Sequence, residues 1–96
     1  MPARKRLEWS PRAGSDLLAI EDFYSGYSQV TADRVMAEIR RTALQLETYP
    51  AIGRRGQVPS TRELAIVRYP FTLVYRIIGS RVRVGRVLHQ HQKYPD

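Results

Sequence analysis

The sequence predicts an α+β fold in which a helical hairpin packs on one face of a small, mostly antiparallel sheet, in the order β-αα-βββ. Two consecutive segments of the first half carry apolar residues at helical spacing. Three short segments rich in β-branched and aromatic residues follow in the second half. A chain of 96 residues supports one hydrophobic core, so we expect residues 1–96 to form a single domain.

A short strand precedes the first helix. Residues 5–9 alternate so that Leu7 and Trp9 lie on one side of the chain. Ser10 and Pro11 then begin the helix, because Ser caps free N–H groups and Pro in the first turn loses no hydrogen bond. The predicted apolar stripe is Leu17, Ile20, Tyr24 and Tyr27, and the residues expected to face away are Asp16, Glu21 and Asp22.

The second helix is predicted to begin at Thr31 as its cap and to end at Pro50. Its apolar stripe comprises Ala32, Val35, Ile39, Ala43 and Leu46. The short connection between the two helices predicts an antiparallel hairpin.

The second half is predicted to form a loop followed by three strands. Residues 53–60 contain turn residues and no periodicity, which indicates the loop. The strands are residues 63–69, 71–78 and 81–88, with Pro70 between the first two and a Gly79-Ser80 type II′ turn between the last two. Because the helices cover one face of the sheet, the other face is expected to carry arginines.

Positive charge is concentrated in the second half of the chain. Residues 1–50 hold seven basic and seven acidic side chains, whereas residues 51–96 hold nine basic side chains against Glu63 and Asp96. Fourteen of the sixteen cations are Arg, which binds phosphate and carboxylate groups through two parallel hydrogen bonds. The two interpretations are a solvated basic face and a binding surface for an anionic partner.

Several functional classes are excluded by what the sequence lacks. The absence of Cys removes disulfides, thiolate metal sites and a Cys nucleophile, and it is compatible with a reducing cytosol. No apolar run approaches the ~20 residues of a membrane helix, and the basic N-terminus has no signal-peptide pattern. The only His pair, His89 and His91, has no visible third metal ligand, so neither a metal nor a cofactor is expected.

One group of residues in the last third could cleave RNA. Attack of a 2′-hydroxyl on the adjacent phosphate needs a proton acceptor, a proton donor and cations. The candidates are Arg62, Arg76, Arg86, His89, His91 and Tyr94. The alternative interpretation is structural, with His89 satisfied by the backbone and Tyr94 packed against the helices.

An ordered set of motifs resembles the RelE/ParE superfamily of toxins from type II toxin–antitoxin modules, also known as plasmid-stabilisation proteins. The motifs span nearly the whole chain: Trp9-Ser10-Pro11 with Asp16-Leu17, Tyr49-Pro50 with Gly53-Arg54, Arg62-Glu63-Leu64, Tyr69-Pro70-Phe71, Val74-Tyr75-Arg76-Ile77, Val87-Leu88-His89 and Tyr94-Pro95. The resemblance implies the same β-αα-βββ fold.

The resemblance implies one of two activities. RelE-like members cut mRNA in the ribosomal A site, and the resemblance implies that these roles would fall on Arg54 or Arg55, Arg62, Arg86 and Tyr94. With His89 as a candidate proton-transfer group, the predicted catalytic residues for this branch are Arg62, Arg86, His89 and Tyr94. ParE-like members poison DNA gyrase, and the closing pairs Leu88-His89 and Tyr94-Pro95 are similar to that branch. The loop lacks Lys and no Glu general base is evident, since Glu63 resembles a structural residue, so we favour the ParE-like branch. The residues expected to bind the target or nucleic acid are Arg54, Arg55, Arg76, Arg81, Arg83, His91 and Lys93.

The resemblance also implies a protein partner. We expect a cognate acidic antitoxin that covers the basic face of the sheet and the helical hairpin, giving a heteromeric complex in the cytoplasm. The target would be DNA gyrase or ribosome-bound mRNA, with no membrane involvement. A third possibility is an inactive or purely interaction-mediating member of the same fold.

Overall fold

The computed structural model describes residues 4–92, which form two helices and five strands. The elements are β1 (Arg6–Trp9), α1 (Pro11–Ser25), α2 (Gln29–Thr48), β2 (Arg54–Arg55), β3 (Arg62–Ala65), β4 (Phe71–Ile78) and β5 (Arg81–His89). The strand order is β1-β5-β4-β3-β2, in which β1 runs parallel to β5 and every other pair is antiparallel. The predicted fold class is therefore confirmed.

The core lies between the two helices and one face of the sheet. The predicted stripe of α2 is buried along its whole length, and Leu73, Tyr75, Val82 and Val84 oppose it from β4 and β5. The stripe of α1 is correct for Ile20, which is buried, and for Leu17 and Tyr24, which are partly buried against the core, but wrong for Tyr27. That residue lies beyond the end of α1, in the turn to α2, and its side chain is exposed.

The predicted N-terminal cap is confirmed for α1 and wrong for α2. Ser10 caps α1, accepting a hydrogen bond from the Ala13 N–H at 3.0 Å. The prediction of Thr31 as the cap of α2 is wrong, because Ser28 holds that position in an extended conformation. Its Oγ accepts the N–H of Thr31 at 3.0 Å, so that Thr31 lies within the first turn.

The predicted loop at residues 53–60 contains a strand. Arg54 and Arg55 pair with Glu63 and Arg62 to form β2, a two-residue strand too short to show a period. The strand predicted over residues 63–69 is wrong in its second half. β3 ends at Ala65, and the N–H of Ile66 then donates to the Phe71 carbonyl at 2.9 Å across the turn to β4.

The turn between β4 and β5 agrees with the predicted type, and backbone N–H groups at the edge of β1 have hydrogen-bond partners. Gly79 has φ +57° and Ser80 does not share a positive φ, as a type II′ turn requires. At the outer edge of β1, the N–H of Lys5 donates to the Glu47 carbonyl at 2.9 Å and that of Leu7 to Glu47 Oε2 at 3.0 Å. Helix α2 therefore closes this edge of the sheet.

In the described part of the chain, neither helix combines the length and apolarity that crossing a membrane requires.

Candidate functional site

The sheet face opposite the helices carries arginines in neighbouring strands. We call this surface the open face and define it by Glu8, Arg76, Arg81 and Arg83. Arg83 lies between Glu8 of β1 and Arg76 of β4 in the strand register, and side chains alternate between the two faces. The expectation of arginines rather than a second apolar layer is thus met in this part of the sheet.

The open face has an excess of positive charge. Glu8 Oε1 accepts hydrogen bonds from both Arg81 and Arg83, each at 3.2 Å. Arg76 is exposed and has no ion pair within residues 4–92. Two guanidinium groups therefore share one carboxylate and the third has none among the described residues, so an anionic partner would restore the balance.

A second basic surface is formed by β2, β3 and the loop that joins them. Arg54 pairs with Glu63 at 3.0 Å and is 80% exposed, whereas Arg55 lies opposite Arg62 in the register. Arg55, Ser60, Thr61, Arg62 and Ile77 contribute to an open cleft of about 550 Å³. Arg55 and Arg62 thus both line the cleft.

Arg62 also has a structural role. Its Nη1 donates to the Gly53 carbonyl at 2.8 Å and to the Ala51 carbonyl at 3.3 Å. It therefore holds the segment between α2 and β2 in place, which positions Arg54 and Arg55.

Tyr75 is a positioning residue, a role that was not predicted from the sequence. Its hydroxyl accepts the Gly53 N–H at 2.9 Å and donates to the Pro50 carbonyl at 2.7 Å. Burial raises the pKa of the Tyr75 hydroxyl, and the Gly53 N–H and the charge of Arg62 partly oppose that rise. The sequence feature that could have indicated this role is the single Tyr of the largely apolar strand β4, because a buried Tyr hydroxyl needs hydrogen-bond partners.

Arg86 is held by Asp16 rather than presented on the open face. Its Nε and Nη2 lie 2.9 and 3.3 Å from the two carboxylate oxygens, and the two side chains are 13% and 15% exposed. Asp16 also accepts the Val87 N–H at 2.9 Å. The expectation that Asp16 faces away from the core is wrong, because β1 ends at Trp9 and leaves this edge of β5 for Asp16 to satisfy.

His89 ends β5 and contacts other aromatic rings. It lies edge-on to Phe71 at 5.6 Å and 5.1 Å from the ring of His91. Its Nδ1 accepts the His91 N–H at 3.2 Å, and its own N–H donates to Gln92 Oε1 at 2.7 Å. This geometry engages Nδ1 and leaves Nε2 as the ring nitrogen available for a contact with a ligand. Lys93 and Tyr94 lie outside the described residues.

Among residues 4–92, the predicted catalytic residues Arg62, Arg86 and His89 are not grouped at one point. Arg62 and His89 lie opposite Tyr75 and Phe71, which are four residues apart on β4, about 13 Å along the strand. Arg86 is directed to Asp16 on α1. Among residues 4–92, no three His, Asp or Glu side chains are grouped as metal ligands.

Comparisons with known proteins identify the family. The model of the ParE toxin of the type II toxin–antitoxin system parDE matches residues 7–94. The chain is 38% identical over 94 residues to the candidate toxin Y4kP of Sinorhizobium fredii, covering 98% of this chain and 97% of that protein. It is 32% identical over 81 residues to toxin RelE2 of Caulobacter vibrioides, covering 84% and 90% of the two chains.

Solved structures share the fold. A chain of the chromosomal ParDE toxin–antitoxin system from P. aeruginosa superposes with a TM-score of 0.83 at 26% identity, covering 92% of this chain and 98% of the other. A chain of the toxin–antitoxin complex RelBE2 from Mycobacterium tuberculosis gives a TM-score of 0.68 at 22% identity, covering 90% and 98%. The family model spans nearly the whole chain and the fold agrees with it, so this protein belongs to the ParE toxin family of type II toxin–antitoxin systems.

Proposed function

We propose that this toxin arrests bacterial growth by poisoning DNA gyrase. The observation that carries the proposal is the separation of Arg62, Arg86 and His89, two of which are held by structural contacts. General acid–base cleavage of RNA requires its proton donor and acceptor within hydrogen-bond reach of one phosphate. A binding-only toxin has no such requirement. The ParE family model and the P. aeruginosa ParDE neighbour also support this branch.

The proposal is tested with purified components. The toxin is mixed with gyrase, supercoiled plasmid and ATP, and trapped cleaved DNA is measured after protein denaturation. We expect double-strand breaks that increase with toxin concentration. Unchanged supercoiling without cleavage, at toxin concentrations that arrest cells, would contradict the proposal.

A second candidate function is ribosome-dependent mRNA cleavage, which the relative named toxin RelE2 favours. Induction in cells separates the two functions, because gyrase poisoning causes filaments and a DNA-damage response whereas mRNA cleavage stops translation. His89→Ala sharpens the comparison. If His89 transfers a proton, the variant loses ~10² or more in rate, whereas a gyrase poison loses far less. Normal growth with soluble wild-type protein would favour an inactive member of the family.

We also propose a cognate acidic antitoxin as partner, because the P. aeruginosa neighbour is part of a ParDE toxin–antitoxin system. The three guanidinium groups of the open face attract an acidic segment, and its amphipathic part would cover the helices. Both proposed targets are cytoplasmic, so we expect the complex there. Co-expression with each adjacent small reading frame tests the partner, and the expected result is co-purification and restored growth. If neither neighbour does this, the antitoxin proposal fails.

The charge of the open face predicts how the antitoxin associates. Raising salt from roughly 0.05 to 0.5 M shortens the Debye length from ~14 to ~4 Å. The association rate is expected to fall over this range while the complex persists, because rim charges steer the encounter more than they hold the bound state. Stopped-flow mixing at several salt concentrations measures that rate.

A further inference from the structure

The turn between the two helices presents apolar side chains that the core does not use. We call this surface the hairpin tip and define it by Asp22, Phe23, Tyr27, Val30 and Asp33. Phe23 is 60% exposed, Tyr27 74% and Val30 59%. The rings of Phe23 and Tyr27 contact each other at 5.5 Å, so the two side chains form one aromatic patch.

The helical segment around the hairpin tip carries carboxylates and no basic side chain. No Lys or Arg occurs between Ala13 and Asp33, whereas the segment contains four carboxylates. Asp16 is neutralised by Arg86, which leaves Glu21, Asp22 and Asp33. Asp33 accepts a hydrogen bond from the neutral Gln29 side chain and keeps its charge.

The position of Asp22 is unfavourable for the helix itself. Asp22 lies in the last turn of α1, where the backbone carbonyls already create a negative potential. That turn contains no basic residue. Local stability therefore does not account for a carboxylate at this position.

The charges of the two surfaces select different partners. The open face attracts an acidic segment, whereas the carboxylates of the hairpin tip favour a basic surface with an apolar centre. Proteins that bind DNA expose basic surfaces, because their Lys and Arg side chains must neutralise the phosphates. Aromatic residues within a charged rim are typical anchors of protein interfaces.

We propose that the hairpin tip is the surface by which this toxin docks on a basic surface of DNA gyrase. The inference rests on the proposed function and adds to it the contacting residues and the chemistry of the contact. Phe23 and Tyr27 supply the buried anchors, and Asp22 and Asp33 pair with cations of the enzyme.

Two sets of variants test the proposal, each with a matched control elsewhere on the helices. Phe23→Ala combined with Tyr27→Ala removes the aromatic patch, and the control combines Leu44→Ala with Tyr49→Ala, which are also exposed. Asp22→Arg reverses the charge of the tip, and its control is Gln45→Arg at an exposed position in the last part of α2. Asp22→Arg is expected to preserve or raise the Tm, since it places a cation at the end of a helix.

Binding of each purified variant to intact gyrase is measured by surface plasmon resonance, together with trapped DNA cleavage. Both tip variants are expected to bind at least tenfold more weakly than the wild type, with unchanged far-UV circular dichroism, while both controls bind normally. If the wild type binds gyrase and the tip variants bind it equally well, this inference is wrong and the proposed function stands. Absence of wild-type binding would overturn both. Self-association that the tip variants abolish in sedimentation would also overturn it, because a second copy would then occupy the tip.

Discussion

Asp16 and Arg86 join helix α1 to strand β5 through two parallel hydrogen bonds at 2.9 and 3.3 Å. The carboxylate also accepts the N–H of Val87, at the point where β5 has lost its neighbour β1. One side chain thus satisfies a largely buried guanidinium and an open strand edge. This contact explains why Asp16, which was predicted to face solvent, faces the sheet instead.

Replacing Asp16 with Ala is expected to destabilise the fold by about 1–3 kcal/mol, because the Arg86 guanidinium and the Val87 N–H lose the Asp16 carboxylate as a hydrogen-bond partner. Urea unfolding monitored by circular dichroism measures the change. Asp22→Ala is the control, since Asp22 lies on the same helix and is exposed. Equal stability of the two variants would show that the ion pair contributes little.

Replacing Tyr75 with Phe is expected to cost about 1–3 kcal/mol, because the Gly53 N–H and the Pro50 carbonyl lose their shared partner. The exposed Tyr49→Phe is the control and is expected to be neutral. Hydrogen exchange adds a local measurement, in which the Gly53 amide of the Tyr75 variant should exchange faster. Unchanged exchange at Gly53 would contradict the positioning role.

Alkaline pH is expected to destabilise the protein through Tyr75. Burial raises the pKa of this hydroxyl in the folded state above its ordinary value, so folding favours the neutral form. The contribution is fully present below the unfolded pKa of about 10 and is lost as pH rises through the higher folded pKa. The free energy of unfolding, measured from pH 9 to 11, should therefore fall more steeply for the wild type than for Tyr75→Phe. Parallel curves would contradict this assignment.

Two glycines are expected to respond in opposite ways to substitution by Ala. At Gly53 a Cβ would lie 2.6 Å from the Tyr75 hydroxyl and 2.8 Å from the Glu63 carbonyl, so Gly53→Ala must displace the backbone and destabilise the protein. At Gly14, within α1, nothing lies within 4 Å of an added Cβ. Gly14→Ala is expected to stabilise by about 0.5–1 kcal/mol. Thermal unfolding of both variants checks the signs.

The sequence predicted the parts of the fold that depend on local periodicity. The α2 stripe from Ala32 to Leu46 repeats over four turns, and all five predicted members are buried. Residues 71–78 were predicted with their observed bounds. Long periodic segments determine their own structure because every residue adds to the same pattern. Tyr27 and Thr31 lie where the periodic segments of the two helices meet the turn between them. There the conformation of the turn, and not the periodic pattern, decides which side chain is buried and which one caps the helix.

The candidate site shows the limit of local information. Its residue types could be named from the sequence, since arginines are concentrated after residue 50. Which arginines are available for a partner could not be named, because Arg62 is held by Gly53 and Arg86 by Asp16, which is 70 positions distant in the chain.

The sequence by itself therefore determined the fold class, the order of the two helices and the main strands, and the location of positive charge, all of which follow from composition and local spacing. The family was indicated by the resemblance of an ordered set of motifs. Only the tertiary structure decided the pairing of β1 with β5, the engagement of Asp16 with Arg86 and the support of the β2 loop by Tyr75. These contacts join residues that are far apart along the chain. Their partners depend on where the sheet edges and turns come together, a property of the packed chain that no local pattern contains.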